Sequence, residues 1–85
     1  MAHETPAANQ PEITRTLRLL YPAALVREPI LTRLIRQFDL TVSILGAQIG
    51  VDEGWVELTA SGPAAELDRA VAWLTAEGLR VVRLD

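Results

Sequence analysis

Three carboxylates, Asp52, Glu53 and Glu57, lie close together in this 85-residue chain and raise the question of acid–base catalysis. A pair of carboxyl groups is the simplest arrangement for exchanging protons with a substrate. The first two acids lie between Gly50 and Gly54, in a segment typical of a solvent-exposed turn. We therefore interpret all three as side chains that keep a turn and a strand edge in water, and we expect no catalytic residue.

Other catalytic and metal-binding patterns are missing from the chain. It contains no His-Glu-x-x-His, Gly-x-Ser-x-Gly or phosphate-binding P-loop sequence. The single histidine, His3, has no nearby ligand partner and predicts no metal site, while the lack of cysteine excludes thiolate chemistry. Arg27, Arg33 and Arg36 have no glycine-rich loop beside them and are interpreted as a solvated helix face. We expect a non-enzymatic module that carries no cofactor and no metal.

The composition is apolar for so short a chain, with 49% hydrophobic residues and a net charge of −3. An apolar excess of this kind indicates surface that one copy cannot bury, and therefore a second copy or a protein partner. The interspersed acids and bases argue against nucleic acid. No apolar run approaches the roughly 18 residues that span a membrane, and the first residues show no secretion signal. A cytoplasmic location is the simplest expectation.

Hydrophobic periodicity divides the chain into a tail and six elements. Residues 1–12 have no periodicity and are predicted to be a flexible tail, and residues 13–85 are predicted to form one domain. The predicted strands are 14–21, 40–51, 55–61 and 79–84, and the predicted helices are 28–38 and a segment between 62 and 78. The order β-α-β-β-α-β predicts an α+β fold, the ferredoxin-like βαββαβ sandwich, in which a four-stranded antiparallel sheet carries two helices on one face.

Proline and glycine mark the ends of the second helix and an irregularity in the second strand. Pro63 is predicted in the first helical turn, with Ser61 or Gly62 as the cap. Gly78 is predicted to end this helix in the left-handed conformation. Gly46 is isolated within a strand pattern, which predicts a β-bulge beyond which side chains change faces.

One face of the predicted sheet is left without helices. Its apolar residues, which we predict to form the interface of a homodimer, are Leu20, Leu45, Trp55, Val82 and Leu84. A soluble monomer seldom leaves such a patch open. Trp55 is the only aromatic residue predicted there, so the face lacks the stacked aromatics of an RNA-recognition domain. The loop after the first strand also lacks the basic and amide side chains of an acylphosphatase-type anion site.

The tripeptide Ser43-Ile44-Leu45 is accompanied by further short segments spread over residues 13–84. They are Leu17-Arg18-Leu19, Glu28-Pro29-Ile30, Gly46-Ala47-Gln48-Ile49, Gly54, Gly62 and Ala72-Trp73-Leu74. Together they resemble the NIL domain, a family named for an Asn-Ile-Leu tripeptide at this place in the second strand. The lack of a P-loop and of cysteine predicts the stand-alone form of the family.

The resemblance implies an ACT-like domain that dimerises through its sheet. In the C-terminal domain of the ATPase subunit of methionine ABC importers, the family binds methionine and inhibits transport. In this chain Ser43 replaces the asparagine associated with ligand binding, and serine keeps a hydroxyl but loses the amide's paired donor and acceptor.

Two hypotheses about function follow from the predicted face and the resemblance. The first is a sensor that binds an amino acid such as methionine at the dimer interface, through Ser43, Leu45, Gly46, Ala47 and Trp55. Trp55 would form an apolar wall, and backbone groups near Gly46 and Ala47 would supply polar contacts. The second is an adaptor that docks another protein and has no small-molecule ligand. A thermal shift with one amino acid out of a panel would distinguish them.

Overall fold

A computed structural model describes residues 11–85, and its elements follow the predicted order β-α-β-β-α-β. The elements are β1 (Glu12–Pro22), a short 3-10 helix (Ala23–Leu25), α1 (Ile30–Gln37), β2 (Thr41–Ile49), β3 (Glu53–Pro63), α2 (Ala64–Glu77) and β4 (Arg80–Arg83). The predicted tail, 1–12, lies almost entirely outside the described residues, but its last residue, Glu12, begins β1. His3 also lies outside the described residues.

The four strands form one sheet in the order β2-β3-β1-β4, and all neighbours are antiparallel. β1 pairs with β3 along its whole length, from Glu12 opposite Pro63 to Pro22 opposite Glu53. On its other side β1 pairs with the shorter strand β4. This arrangement confirms the predicted ferredoxin-like fold and leaves β2 and β4 as the edges of the sheet.

Both helices pack on one face of the sheet, where one cluster of buried side chains forms the core. Leu17, Leu19 and Tyr21 alternate along β1 and point to this face, as the period of two in a strand requires. The helix-covered face is completed by Val56, Leu58 and Ala60 of β3, Ile30 and Leu34 of α1, Leu67, Ala70 and Leu74 of α2, and Leu79. Trp73 packs at the margin of the core, as predicted, and the centroid of its ring lies 5.9 Å from that of Phe38.

The second helix begins later than predicted because the preceding strand is longer. β3 continues to Pro63, and the hydroxyls of Thr14 and Ser61 are hydrogen-bonded across the two central strands at 2.7 Å. Ser61 and Gly62 are therefore strand residues, and the prediction that one of them caps α2 is wrong. Pro63 occupies the cap position without a side-chain hydrogen bond. Gly78 ends α2 with a φ of 109°, in the left-handed region predicted for it.

A bulge in β2 confirms the irregularity predicted from Gly46. Ile44 lies opposite Leu58, but Gly46 lies opposite Glu57, so one extra residue, Leu45, is inserted between two successive pairs. Two residues of β2 thus share one position of β3. The insertion reverses the face of every residue that follows it in the strand.

Candidate functional site

The sheet face turned away from the helices, the helix-free face, carries three rows of residues that run across the four strands. Strand register gives these rows as Arg80–Leu20–Trp55–Gln48, Val82–Arg18–Glu57–Gly46 and Leu84–Thr16–Thr59–Ser43. Each row contains both apolar and polar residues. The bulge residue, Leu45, lies next to Gly46 opposite Glu57. The face is therefore amphipathic, in contrast to the helix-covered face, whose buried residues are all apolar or aromatic.

An ion pair beside an aromatic ring occupies the centre of this face. Arg18 Nε donates a hydrogen bond to Glu57 Oε2 at 2.8 Å, and Nη2 of the same guanidinium contacts the same oxygen. Arg18 Cζ lies 5.0 Å from the centroid of the Trp55 ring, within the range of cation–π attraction. The register produces this group, because Arg18 lies directly opposite Glu57 and Trp55 precedes Glu57 by two residues on the same face. The side chains of the pair are 41% and 24% exposed, so solutes can reach both charges.

Gly46 leaves open space beside the Trp55 ring. Among the glycines that the structure describes, only Gly78 has a positive φ, so the backbone at Gly46 does not require glycine. A Cβ built at Gly46 would meet the Trp55 ring at 3.8 Å, an ordinary van der Waals contact. What the glycine provides is therefore a methyl-sized gap beside the Trp55 ring, at its atoms Cζ3 and Cη2.

Four of the five predicted ligand-binding residues lie on the helix-free face. They are Ser43, Leu45, Gly46 and Trp55. The fifth, Ala47, lies on the helix side, because the bulge places it opposite the buried Val56. Gln48, opposite Trp55, takes its place on the helix-free face. Sequence reasoning anticipated the bulge but could not decide which residues beyond it would change faces.

All five residues predicted to form a dimer interface lie on the helix-free face. They are Leu20, Leu45, Trp55, Val82 and Leu84. Leu45 and Leu84 are 60% and 46% exposed, and the other three are partly covered by their neighbours. The pairing of two copies through this surface stays a prediction.

Sequence reasoning missed a second group of exposed apolar residues, along the free edge of the sheet. Ile44, Ile49 and Val51 are 59%, 52% and 82% exposed. Ile44 and Ile49 point to the helix side of β2, but neither helix covers them. The alternation of residues in β2 resembles that of a covered strand, so no local signal in the sequence marks these residues as exposed.

A cavity of about 290 Å³ opens at the end of the sheet next to the Trp55 ring. It is lined by Leu20, Tyr21, Glu53, Gly54 and Trp55. A larger cavity, of about 500 Å³, opens near the start of α2, and its lining does not include Arg18, Glu57 or Trp55. The polar groups of its lining bind one another: the Asp39 N–H donates to Glu66 at 2.8 Å, and Arg69 pairs with the same carboxylate. We therefore centre the candidate site on Trp55.

The helix-free face displays the means for non-covalent binding. It offers stacking on Trp55, charge pairing at Arg18 and Glu57, and hydroxyl groups at Ser43 and Thr59. Within residues 11–85, no three histidine, aspartate or glutamate side chains come together as a metal site would require. Neither helix in this part of the chain is long and apolar enough to cross a membrane.

Together, the element order, the strand order and the placement of both helices define a ferredoxin-like α+β domain with one covered and one open sheet face. The sequence profile of the NIL domain matches residues 15–82, which is most of the chain. The protein belongs to the NIL domain family, and the resemblance inferred from the sequence is confirmed.

Two relatives are similar to most of this chain. The chain is 38% identical over 61 residues to the uncharacterized protein ssr2439 of Synechocystis sp., covering 69% of this chain and 63% of that protein. It is 35% identical over 71 residues to the methionine import ATP-binding protein MetN of Helicobacter pylori. That match covers 79% of this chain but 22% of the importer protein. The chain thus spans less than two thirds of the length of either relative.

Solved structures support the fold. The C-terminal domain of an ABC transporter ATP-binding protein from Enterococcus faecalis superposes with a TM-score of 0.73 at 18% identity, covering 82% of each chain. A de novo designed protein, Foldit4, superposes with a TM-score of 0.58 at 12% identity, covering 87% of this chain and 94% of its own. Because a designed protein shares this architecture, the fold alone does not specify a function.

Proposed function

We propose that this chain is a regulatory module that senses an amino acid such as methionine. Two copies join through their helix-free faces, and the amino acid binds at that interface beside Gly46 and Trp55. The observation that carries the proposal is the grouping of the Trp55 ring, the gap that Gly46 leaves beside it, the exposed Leu45 and the Arg18–Glu57 pair on one face. An apolar wall with a few convergent polar groups is the usual composition of a small-molecule site.

The relatives support a regulatory role over a catalytic one. The Helicobacter relative is by name an ATP-binding protein of methionine import, and the Enterococcus structure is a C-terminal domain of an ABC transporter ATP-binding protein. The present chain corresponds to 22% of the importer protein and contains no P-loop, so we propose that it regulates a partner and does not hydrolyse ATP. A cytoplasmic location belongs to this proposal, because ATP-binding proteins draw their nucleotide from the cytoplasm.

The ligand would act by shifting an equilibrium between monomer and dimer, or between two forms of the dimer. A ligand that contacts both copies binds the dimer more tightly than the monomer, and it stabilises the dimer by that difference in affinity. A partner protein that recognises one of the two states would then respond to the amino-acid concentration. No chemical reaction on this chain is needed.

A panel of free amino acids tests the proposal. The purified protein is melted in the presence of each amino acid, and its sedimentation is followed with and without those that raise the melting temperature. We expect methionine or a similar apolar amino acid to raise the melting temperature and to increase the dimer fraction. A protein that sediments as a monomer at roughly tens of micromolar, with no thermal shift from any amino acid, would contradict the proposal.

The second candidate function is that of a protein–protein adaptor without a small ligand. It is favoured by the exposed apolar residues Ile44, Ile49 and Val51, which lie outside the helix-free face and form no part of the proposed amino-acid site. β2 is also an edge strand, whose outward backbone groups are available to pair with another chain. An adaptor should show no thermal shift with any amino acid, yet lose its partner when this edge is altered.

A further inference from the structure

We propose that Arg18 and Glu57 together hold the two charged groups of an α-amino acid. The ligand carboxylate binds the Arg18 guanidinium and the ligand ammonium binds the Glu57 carboxylate, so the ligand replaces the ion pair that the two side chains make in its absence. This inference rests on the proposed amino-acid site and assigns its chemistry. The hypothesis from the sequence assigned the polar contacts of the ligand to Ser43 and the backbone near Gly46 and Ala47. This inference assigns them instead to the two charged side chains at the centre of the helix-free face.

The geometry of the pair leaves hydrogen-bonding capacity unused. Both contacts from Arg18, through Nε and Nη2, go to one oxygen of Glu57, Oε2. Within residues 11–85, Glu57 Oε1 and Arg18 Nη1 make no hydrogen bond to protein atoms. A guanidinium can bind a carboxylate through two parallel N–H donors, and a carboxylate can accept from an ammonium at either oxygen. Both partners can therefore accept a ligand group before the pair between them is fully broken.

The surroundings of the pair fit the remainder of an apolar amino acid. Trp55 lies under the Arg18 guanidinium, and Gly46 leaves a methyl-sized gap beside the same ring. Leu45 lies next to Gly46 and is largely exposed. A ligand whose charged groups sit on Arg18 and Glu57 can thus extend its side chain over the indole ring toward Gly46.

The opposite charges of Arg18 and Glu57, which face each other across two strands, favour a ligand whose ammonium and carboxylate groups are attached to the same carbon. Such a ligand exchanges one ion pair for two and leaves no charge without a partner. A ligand with only a carboxylate or only an ammonium would leave Glu57 or Arg18 unpaired. When a second copy covers the face, an unpaired charge loses its hydration and destabilises the complex. The site should therefore discriminate strongly against ligands that carry a single charge.

The test compares charge-removing variants with a matched ion pair elsewhere in the chain. Arg18→Gln and Glu57→Gln each remove one charge of the site; glutamine has the size of glutamate, and in place of arginine it leaves a shorter polar side chain. Arg33→Gln is the control, because Arg33 in α1 makes an exposed ion pair, at 3.1 Å, with Glu28, which lies just before this helix. Titration calorimetry with L-methionine should show at least a tenfold weaker affinity for each site variant, and an affinity within about twofold for the control.

Modified ligands give a second measurement that needs no variant to fold. Methionine methyl ester lacks the negative charge and N-acetylmethionine lacks the positive one. We expect each to bind the unaltered chain at least tenfold more weakly than methionine. If methionine binds the two site variants and the unaltered chain equally well, Arg18 and Glu57 do not hold its charged groups, although the proposed function stands. If the unaltered chain binds no amino acid, the proposed function itself is wrong and this inference falls with it.

Discussion

Neighbouring residues of β1 show how differently the two faces of the sheet are built. Leu19 is fully buried beneath the helices, at 0% exposure, whereas Leu20 lies on the helix-free face opposite Trp55. The helix-covered face buries no polar or charged residue, while the helix-free face has the Arg18–Glu57 pair at its centre. The covered face is a closed core that stabilises the monomer. The open face buries fewer side chains, so we expect it to contribute less to the stability of the monomer.

The physical reason for the difference is access to water. A charge on the helix-covered face would lose its hydration on folding, at a cost that an unpaired group cannot recover. On the helix-free face the same charge stays partly hydrated in the monomer and is desolvated only when something binds. We therefore expect charged residues on this face to affect the proposed binding more than folding. Substitutions of paired positions on the two faces test this separation.

The largest expected effect comes from Leu19→Ala. Removing a fully buried leucine side chain should lower the free energy of unfolding by about 2–5 kcal/mol, a large share of the stability of a small domain. Leu20→Ala is the matched control, and it should cost the monomer well under half as much because Leu20 is only partly buried. Urea denaturation at low protein concentration measures both values. Equal losses would show that the two faces do not differ in their contribution to stability.

Leu45→Glu tests the helix-free face as a dimer interface. Leu45 is 60% exposed, so the change should alter the melting temperature of the monomer little. In a dimer it would place a charge without a partner in an apolar contact, and the dissociation constant should rise on the order of 100-fold. Val51→Glu is the control, since Val51 is 82% exposed and lies outside the helix-free face. If sedimentation shows the same dimer for Leu45→Glu, the interface lies elsewhere.

Two glycines separate a conformational requirement from a requirement for space. Gly78 ends α2 with a φ of 109°, and a Cβ there would also come within 3.1 Å of Leu25 Cδ1. Gly78→Ala should therefore destabilise the domain by about 1–2 kcal/mol. Gly46→Ala should change stability by less than about 0.5 kcal/mol. The added methyl group fills the gap beside Trp55, so this variant should bind an amino acid more weakly while keeping the fold intact.

Thermal unfolding and calorimetry of the two glycine variants measure these effects. The comparison fails if Gly46→Ala is as destabilising as Gly78→Ala, because Gly46 would then be needed by the fold. It also fails if Gly46→Ala binds the amino acid as well as the unaltered chain does. In that case the space beside Trp55 is not part of the site.

The order of elements and the fold could be predicted because the signals for them are local. Hydrophobic periodicity identifies each strand and helix, and Gly78 marks a helix end through its own conformation. The start of α2 could not be predicted in the same way. Pro63 favours a first helical turn, but the pairing of Glu12 with Pro63 across the two central strands extends the strand instead. Tertiary pairing prevailed over a local preference.

The candidate site was less predictable because it depends on register between distant segments. Arg18 and Glu57 are 39 residues apart, and only the β1–β3 register shows that they form a pair. Gly46 indicated a bulge, yet only the β2–β3 pairing places the inserted residue at Leu45 and so removes Ala47 from the helix-free face. A shift of one position exchanges the faces of all residues beyond it. The sequence thus predicts which residues each strand carries more reliably than which of those residues contact one another.

The smallest expected effect concerns Glu66. Its carboxylate, near the start of α2, binds the backbone just after the end of α1. The Asp39 N–H donates to Glu66 at 2.8 Å, and this hydrogen bond is the main reason that the pKa of Glu66 lies below its ordinary value of 4.5; desolvation opposes the shift and Arg69 adds to it. Because the folded pKa is depressed, this contribution to stability is present above about pH 4.5 and is lost as the pH falls through the folded value. Glu66→Gln should therefore melt slightly below the unaltered chain at neutral pH, and the gap should close on acidification. Glu77→Gln, an exposed change in the same helix, should show no gap that closes in this way, and a Glu66→Gln gap independent of pH would contradict the assignment.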